Sequence, residues 1–316
     1  MNNASIKWAI DTLLEKGYQT QSNTPDIIQD NPWSTVYRFQ TNQGFIFLKQ
    51  VPSALSLEPK VINILRSEFN AAAPFIIEEN EDQHAFLMKD AGIPWHHYFK
   101  QHFNADILIQ AIHAYINLQI AITNRTDLFL ELGVPNWCLE NLPSLYKELI
   151  SQEALLVDDG LSKEEIMKLK QLEPKLAFLC ELLMRYNIKD TFGHADFHDK
   201  NILINPDNGV TTIIDLGEVV ITYPLFSFHN CLHMAKENFS LTDDQYYQLQ
   251  VACIKPWLEF ETKEHLFDIL AIITQCWSIH AVLGEYRLMK SINKNDFKKM
   301  RKGRFANKLK FWLNTA

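Results

Sequence analysis

The sequence predicts an α+β protein with two lobes, a small β-rich N-terminal lobe and a large, mostly helical C-terminal lobe. The first 90 residues alternate short β-rich runs with turn signals and contain one internal helical stretch. From Ile93 onward, helical periodicity dominates. With 316 residues and 47% hydrophobic content, the chain can bury a substantial core. We therefore predict domains over residues 1–91 and 92–316.

Periodicity and turn residues define the elements of the N-terminal lobe. Apolar residues at helical spacing predict a helix over residues 5–16. A second helix is predicted over 57–69, because Pro59 is tolerated in a first helical turn. The predicted strands cover residues 35–40, 45–51, 74–77 and 84–88. The first two strands form a hairpin, since the residues between them include Asn42 and Gly44.

The C-terminal lobe is predicted to contain a series of helices that one hairpin interrupts. The predicted helices cover residues 105–123, 142–155, 162–186, 225–237, 243–255, 263–283 and 293–313. The hairpin consists of β-rich runs at 201–204 and 210–214 on either side of a Pro-Asp-Asn-Gly turn. Opposed residues in such a pair lie about 5 Å apart. We therefore expect Asn201 to lie near Asp215.

The segment 192–201 carries the pattern that is most informative about chemistry. It contains His194, Asp196 and Asn201, and Asp215 ends the hairpin that follows. Two oxygen ligands beside a third, free carboxylate are what metal-assisted phosphoryl transfer requires. This arrangement predicts a kinase. The alternative is that His194 and Asp196 only cap a loop and that Asp215 only forms a turn.

Composition and charge exclude several classes of protein. The net charge of −8 argues against a general nucleic-acid binder. Residues 290–310 contain nine Lys or Arg residues and one Asp. We interpret this basic segment as a solvated face of the protein. The alternative is a basic helix that binds a membrane surface or a nucleic acid. The apolar run 266–277 is too short to span a bilayer, and no signal peptide is expected. Five scattered cysteines favour a cytoplasmic protein with reduced thiols. Nothing indicates the oligomeric state.

These motifs and their order resemble the aminoglycoside phosphotransferase and choline kinase branch of the protein-kinase-like fold. The resemblance runs from about residue 33 to about residue 234. It implies that residues 1–91 bind ATP or GTP and that residues 92–316 carry the catalytic loop and the acceptor site. The implied nucleotide-binding residues are Lys49 for the phosphates, Glu58 as its partner (with Glu68 as a rival), Met88 in the hinge that reads the adenine, and Ser34 and Thr35 in the turn over the phosphates.

The resemblance also implies roles around the catalytic loop. Asp196 would orient the acceptor hydroxyl and take its proton, and His194 and His198 would support it. Asn201 and Asp215 would hold Mg²⁺.

The sequence departs from the family pattern at several places, among them Ala195, where glycine is usual, and Leu216, where an aromatic residue is usual. The turn over the phosphates, residues 30–34, has no glycine, so close approach of its backbone to phosphate is not assured. Ser227 stands where many relatives have an aspartate that buttresses the catalytic loop.

The acceptor is expected to be the hydroxyl of a small molecule. The acidic chain suggests a cationic amino alcohol or an aminoglycoside-like compound, with Asp199, Glu218 and Glu285 as candidate pocket residues. Two other hypotheses are a protein kinase and a catalytically silent nucleotide-binding scaffold.

Overall fold

The computed structural model describes residues 3–99 and 103–316, which fall into two compact units. The first unit comprises the chain to Ile93 together with Leu203–Gly217 and Leu288–Phe297. The second comprises Pro94–Ile202, Glu218–Arg287 and Lys298–Ala316. The first unit therefore includes two segments from later in the chain. The division into a nucleotide-binding and an acceptor-binding domain stays a prediction.

The first unit is built on a five-stranded antiparallel sheet with the order β1-β2-β3-β5-β4. Its strands are β1 (Asp26–Asn31), β2 (Ser34–Thr41), β3 (Gly44–Gln50), β4 (Ile76–Asn80) and β5 (Ala85–Lys89), and its helices are α1 (Asn3–Glu15) and α2 (Glu58–Phe69). Leu13 of α1 packs on Phe39, Leu48 and Leu87 from the sheet, and all four are fully buried or nearly so. This apolar core fixes β3 in the middle of the sheet.

Strand β1 was not predicted. Its sequence, Asp-Ile-Ile-Gln-Asp-Asn, is rich in residues that are depleted in strands. Five of its six residues are exposed, as expected for a strand at the edge of a sheet. The pairing with β2, from Asp26 opposite Arg38 to Asn31 opposite Ser34, holds it in place. Asp26 also forms an ion pair with Arg38 at 2.8 Å.

The predicted hairpin before Asp215 is present. β9 (Ile202–Ile204) and β10 (Thr211–Ile213) are neighbours in a small sheet with the order β10-β9-β6, where β6 is Ile93–Pro94. Asn205 closes the turn by donating its amide to the carbonyl of Val210 at 2.9 Å. Gly92 lies against this sheet with φ of +123°, and a Cβ there would lie 2.3 Å from the carbonyl oxygen of Ile204. Only glycine fits that position.

The second unit is mostly helical and contains a small sheet with the order β7-β11-β8. The strands are β7 (Asn136–Trp137), β8 (Thr191–His194) and β11 (Val219–Thr222). The remaining helices of the chain are α3 (Trp95–Phe99), α4 (Ala105–Ile122), α5 (Asp127–Leu132), α6 (Leu142–Ile150), α7 (Glu153–Asp159), α8 (Lys163–Gln171), α9 (Glu173–Leu183), α10 (Leu225–Phe239), α11 (Asp243–Cys253), α12 (Lys263–Ser291), α13 (Lys294–Arg301) and α14 (Arg304–Thr315).

Three predicted helices are each two helices in the structure. The prediction over 162–186 is divided into α8 and α9, because Pro174 can occupy only the first turn of a new helix. The prediction over 293–313 is divided into α13 and α14 at Gly303, whose φ of +85° ends helical geometry. The prediction over 142–155 is divided into α6 and α7, which Ser151 and Gln152 separate.

The predicted fold class, an antiparallel N-terminal sheet followed by a mostly helical chain, is confirmed. The helix predicted over residues 263–283 is longer in the structure. It is α12, which runs from Lys263 to Ser291 and has 29 residues. By length and composition alone, α4 and α12 could each cross a membrane. This is weak evidence, because the buried core helix of a globular protein passes the same test, and 56% of the most apolar window of α12 is buried.

Candidate functional site

In the first unit, the predicted phosphate-binding lysine lies between two carboxylates. Lys49 is on β3, where Val36 of β2 and Phe86 of β5 flank it, and only 5% of it is exposed. Its Nζ lies 2.6 Å from Oε2 of Glu58 and 2.5 Å from Oδ1 of Asp215. Burial disfavours the charged form of Lys49, but the two carboxylates outweigh that effect and raise its pKa. The lysine is therefore cationic at every physiological pH.

Glu58, the acid at the start of α2, is held by a contact with each of its two carboxylate oxygens. Glu58 begins α2 and is 2% exposed. Its Oε1 accepts a hydrogen bond from the amide of Leu216 at 3.2 Å. Burial raises the pKa of Glu58, and the charge of Lys49 partly offsets this rise. The structure thus pairs Lys49 with Glu58 rather than with the rival Glu68, which lies on the exposed face of α2.

Asp215 has an unusual backbone conformation. Its φ is +62°, in the left-handed region that aspartate tolerates better than most residues do. Such conformations occur at functional sites, where the surrounding contacts impose them. About a third of the side chain (36%) is exposed, in contrast to Lys49 and Glu58. Asp215 can therefore contact both the buried lysine and a ligand in solvent.

The glycine-free turn between β1 and β2 is closed by its own side chain. Oδ1 of Asn31 accepts hydrogen bonds from the amides of Ser34 at 2.9 Å and of Trp33 at 3.3 Å. The buried hydroxyl of Ser34 has no partner among the described residues. The hydroxyl of Thr35 lies 3.4 Å from Oδ1 of Asp30. Ser34 is therefore the donor that a phosphate oxygen could use after a rotation of its side chain.

Met88 lies on β5, the strand predicted to lead into the hinge. It is half-buried and lies opposite Phe47 of β3 and Ile76 of β4. Its role beside the adenine stays a prediction.

In the second unit, the predicted catalytic loop follows directly from β8. His194 ends this strand and is fully buried. Its amide donates to the hydroxyl oxygens of Tyr115 at 2.8 Å and of Ser227 at 3.0 Å, and its Nδ1 accepts from the amide of Asp196 at 3.2 Å. The hydroxyl of Ser227 in turn donates to the carbonyl of His194 at 3.0 Å. Ser227 thus braces the loop that an aspartate buttresses in the resembled family.

Asp196 is held in place from two sides and is half-exposed, at 49% of its side chain. Nε2 of His198 lies 3.2 Å from its Oδ2, and Nδ2 of Asn201 donates to its carbonyl at 2.9 Å. Partial burial alone would raise the pKa of Asp196, but the hydrogen bond and charge of His198 lower it to about 2. Burial opposes the charged form of His198, whereas Asp196 raises its pKa. The carboxylate of Asp196 is therefore ionised at neutral pH.

The sequence did not indicate the residues that support Asp199. This side chain is 2% exposed and lies 2.7 Å from Nδ1 of His96. Asn238 of α10 donates to both of its carboxylate oxygens at 3.1 Å. Burial and these partners remove Asp199 from solvent, and its place in an acceptor pocket stays a prediction. His96 and Asn238 are 103 and 39 residues away from Asp199 in the chain, so no local sequence pattern could have indicated these contacts.

The predicted metal ligands have donor atoms that suit Mg²⁺. Nδ2 of Asn201 donates to the carbonyl of Asp196, and the other atom of this amide is an oxygen donor. In the first unit, Asp215 has a partly exposed carboxylate. Hard oxygen donors of this kind, completed by phosphate oxygens, are what Mg²⁺ prefers. Over residues 3–99 and 103–316, no group of three or more His, Cys, Asp or Glu side chains could hold a metal by itself.

Comparison with known proteins places this arrangement in a family. The model of the family "Phosphotransferase enzyme family" (APH) matches residues 30–252. A search of curated proteins gives no match.

Several solved structures have a similar fold. An ethanolamine kinase from Plasmodium vivax is 12% identical over 98% of this chain and 87% of its own, with a TM-score of 0.64. An APH(2″) enzyme in complex with GDP and kanamycin is 12% identical over 98% of this chain and 99% of its own, with a TM-score of 0.62. An amicoumacin kinase in complex with AMP-PNP and Ca²⁺ is 11% identical over 99% of this chain and 96% of its own, with a TM-score of 0.56. At these identities the likeness concerns the fold.

Proposed function

The chain belongs to the phosphotransferase enzyme family, and we propose that it transfers the γ-phosphoryl group of ATP or GTP to a hydroxyl of a small molecule. The observation that carries this proposal is the buried lysine between two carboxylates, Lys49 with Glu58 and Asp215. Burial of such an ionic cluster is costly because the charges lose their water, and perturbed ionisable groups of this kind concentrate at functional sites.

The first unit would bind the nucleotide. Lys49 would neutralise the phosphates that are not transferred, and Glu58 would fix the position of its ammonium group. Ser34 and Thr35 would contact phosphate oxygens from the turn, and the backbone beside Met88 would contact the base. Structural relatives were solved with GDP and with AMP-PNP, so both bases stay candidates.

The catalytic loop would act on the acceptor. Asp196 is ionised at neutral pH and would orient the acceptor hydroxyl and accept its proton late in the reaction. His198 would hold the carboxylate of Asp196, and His194 would fix the loop backbone. Asn201 and Asp215 would hold Mg²⁺, which when bound neutralises charge on the phosphates.

The acceptor is a small molecule in this proposal, and the predicted cationic class has little support. Of the acids predicted to attract a cation, Asp199 is paired with His96, and Glu285 is 6% exposed and paired with Arg301 at 2.7 Å. Neither carboxylate is available to a cationic substrate. A protein kinase and a silent scaffold are outcomes of the tests below.

We also propose a cytoplasmic location. Within the described residues all five cysteines are free thiols, and four of them are buried. Unpaired thiols suit a reducing compartment.

Thermal unfolding with nucleotide tests the proposal. A ligand that binds only the folded state raises the melting temperature by mass action. We expect a magnesium-dependent rise with MgATP or MgGTP that Asp215→Ala abolishes. Asp196→Asn should keep this rise and lose turnover, because its carboxylate contacts the acceptor rather than the nucleotide.

The opposite result is also informative. If neither nucleotide changes the melting temperature at millimolar concentration, the protein is not an active kinase. If the nucleotide binds but no small alcohol is phosphorylated and a polypeptide is, the protein-kinase alternative is correct. Binding without any turnover would indicate a scaffold.

A further inference from the structure

The second unit has an exposed basic surface where α13 ends and α14 begins. Lys299, Lys302 and Arg304 are all exposed there. Within residues 3–99 and 103–316, no Asp or Glu side chain forms an ion pair with any of these three cations. We call these three residues, together with the exposed Met300, the basic surface.

The acids beside the basic surface are already engaged. Asp158, near the end of α7, pairs with Lys298 at 2.8 Å. Asp159 is 8% exposed and accepts hydrogen bonds from the amides of Gly303 and Ala306, each at 2.8 Å. One of these amides precedes α14 and the other lies in its first turn, so Asp159 fixes the start of this helix against the end of α7. The basic surface is therefore held in a defined position and keeps its positive charge.

Large apolar side chains are exposed beside the same cations. Met300 is 51% exposed and follows Lys299 directly in the chain. Phe311 is 43% exposed and lies seven residues after Arg304, on the same face of α14. Val157 is 44% exposed and precedes the acid that anchors the end of α13 to α7. Cations interspersed with exposed apolar side chains are typical of a surface that lies in the interface of an anionic bilayer.

A membrane fits this surface better than a nucleic acid does. Both offer phosphate groups, and the three cations could contact either. The phosphate backbone of a nucleic acid has no apolar partner for Met300 and Phe311, whereas lipid headgroups lie next to acyl chains that such side chains can enter. The net charge of −8 also disfavours binding of a long polyanion.

We propose that the basic surface binds anionic phospholipids and attaches the protein to a membrane surface. The three cations contact the phosphate groups of the lipids, while Met300 and Phe311 enter the boundary between headgroups and acyl chains. Each cation strengthens such binding about fivefold, so the attachment is reversible. The cytoplasmic leaflet of a membrane is anionic, which agrees with the proposed location. The inference does not depend on the proposed phosphotransferase activity.

The test is co-sedimentation of the full chain with two kinds of vesicle, pure phosphatidylcholine and an equal mixture of phosphatidylcholine and phosphatidylglycerol. We expect the protein to bind the mixed vesicles and not the pure ones, and binding to weaken as the salt concentration rises. Lys299→Gln/Lys302→Gln removes two cations and should weaken binding about 25-fold, since each lysine contributes about fivefold. Both positions are exposed, so the variant should fold, and an unchanged melting temperature checks this.

The matched control is Lys189→Gln/Lys255→Gln, which removes the same charge from exposed lysines elsewhere in the second unit. This control should bind the mixed vesicles as tightly as the wild type does. Lys299→Arg/Lys302→Arg keeps both charges and should also retain binding. Met300→Gln keeps every charge and should weaken binding to a smaller extent, because only an apolar contact is lost.

The proposal is overturned if the protein does not bind the mixed vesicles, or if it binds both kinds of vesicle equally. It is also overturned if Lys299→Gln/Lys302→Gln binds as tightly as the control variant does, because total charge would then explain the binding. A duplex DNA probe tests the alternative partner. If DNA binds, the same two substitutions weaken it and the vesicles do not bind, the surface recognises a nucleic acid instead. The nucleotide-dependent rise in melting temperature tests the proposed function separately.

Discussion

Replacement of Lys49 by methionine should destabilise the protein strongly, because it leaves two carboxylates without their shared cation. Glu58 is 2% exposed, so its charge would have neither water nor a counterion. Removing one partner of a buried ion pair typically costs about 3–5 kcal/mol. Protonation of Glu58 limits this penalty, since its pKa is already raised in the wild type by burial, against the opposing charge of Lys49. We therefore expect a loss of about 3 kcal/mol at pH 7.

The stability that Lys49→Met loses should depend on pH in a defined direction. A carboxyl whose pKa is raised in the folded state binds a proton more readily there than in the unfolded chain. The deficit of Lys49→Met should therefore shrink as the pH falls toward the ordinary pKa of 4.5 for Glu58. In the wild type the contribution of Lys49, whose pKa is raised, persists at least up to its ordinary value of 10.5.

The assay is urea unfolding at several pH values, with two comparison variants. Lys60→Met removes an exposed lysine that pairs with Glu81 at 2.7 Å and should cost far less stability than Lys49→Met, because solvent screens an exposed ion pair. The double variant Lys49→Met/Glu58→Gln should recover most of the lost stability, because glutamine carries no charge. The reasoning is refuted if Lys49→Met costs no more than Lys60→Met does, or if the two substitutions in the double variant are additive.

Two further predictions concern other parts of the chain. Asp196→Asn should lower the pKa of His198 in an NMR titration, because burial opposes its charge and the carboxylate that raises its pKa is gone; the pKa of His229, about 4, should not change. Gly92→Ala should destabilise by about 2 kcal/mol or more in urea unfolding, since φ is +123° and a Cβ would lie 2.3 Å from a carbonyl oxygen. Gly284 lies within α12 and has open space around it, so Gly284→Ala should be neutral or stabilising by up to about 1 kcal/mol. If Gly92→Ala and Gly284→Ala changed the stability equally, the steric argument would be contradicted.

Much of the architecture was predictable because it depends on local patterns. The hairpin of β2 and β3 follows from alternation and from Asn42 and Gly44. The hairpin that precedes Asp215 follows from its Pro-Asp-Asn-Gly turn. In the structure, capping boxes begin two of the predicted helices, at Ser162 with Glu165 and at Thr242 with Gln245.

The parts that were not predictable depend on contacts between distant residues. Strand β1 is held by pairing and not by propensity. Glu285 looked like a candidate for a cationic pocket, and only the folded chain brings Arg301, 16 residues later, onto it. Similarly, the bracing role of Ser227 requires His194, which is 33 residues away.

The closed turn between β1 and β2 has a consequence for selective inhibition. Asn31 already accepts the hydrogen bonds of the amides of Trp33 and Ser34, so this turn offers fewer free donors than a glycine-rich loop does. Compounds that gain affinity from loop amides should therefore discriminate against this protein. An inhibitor that inserts its own acceptor in place of the Asn31 carboxamide would reverse that preference.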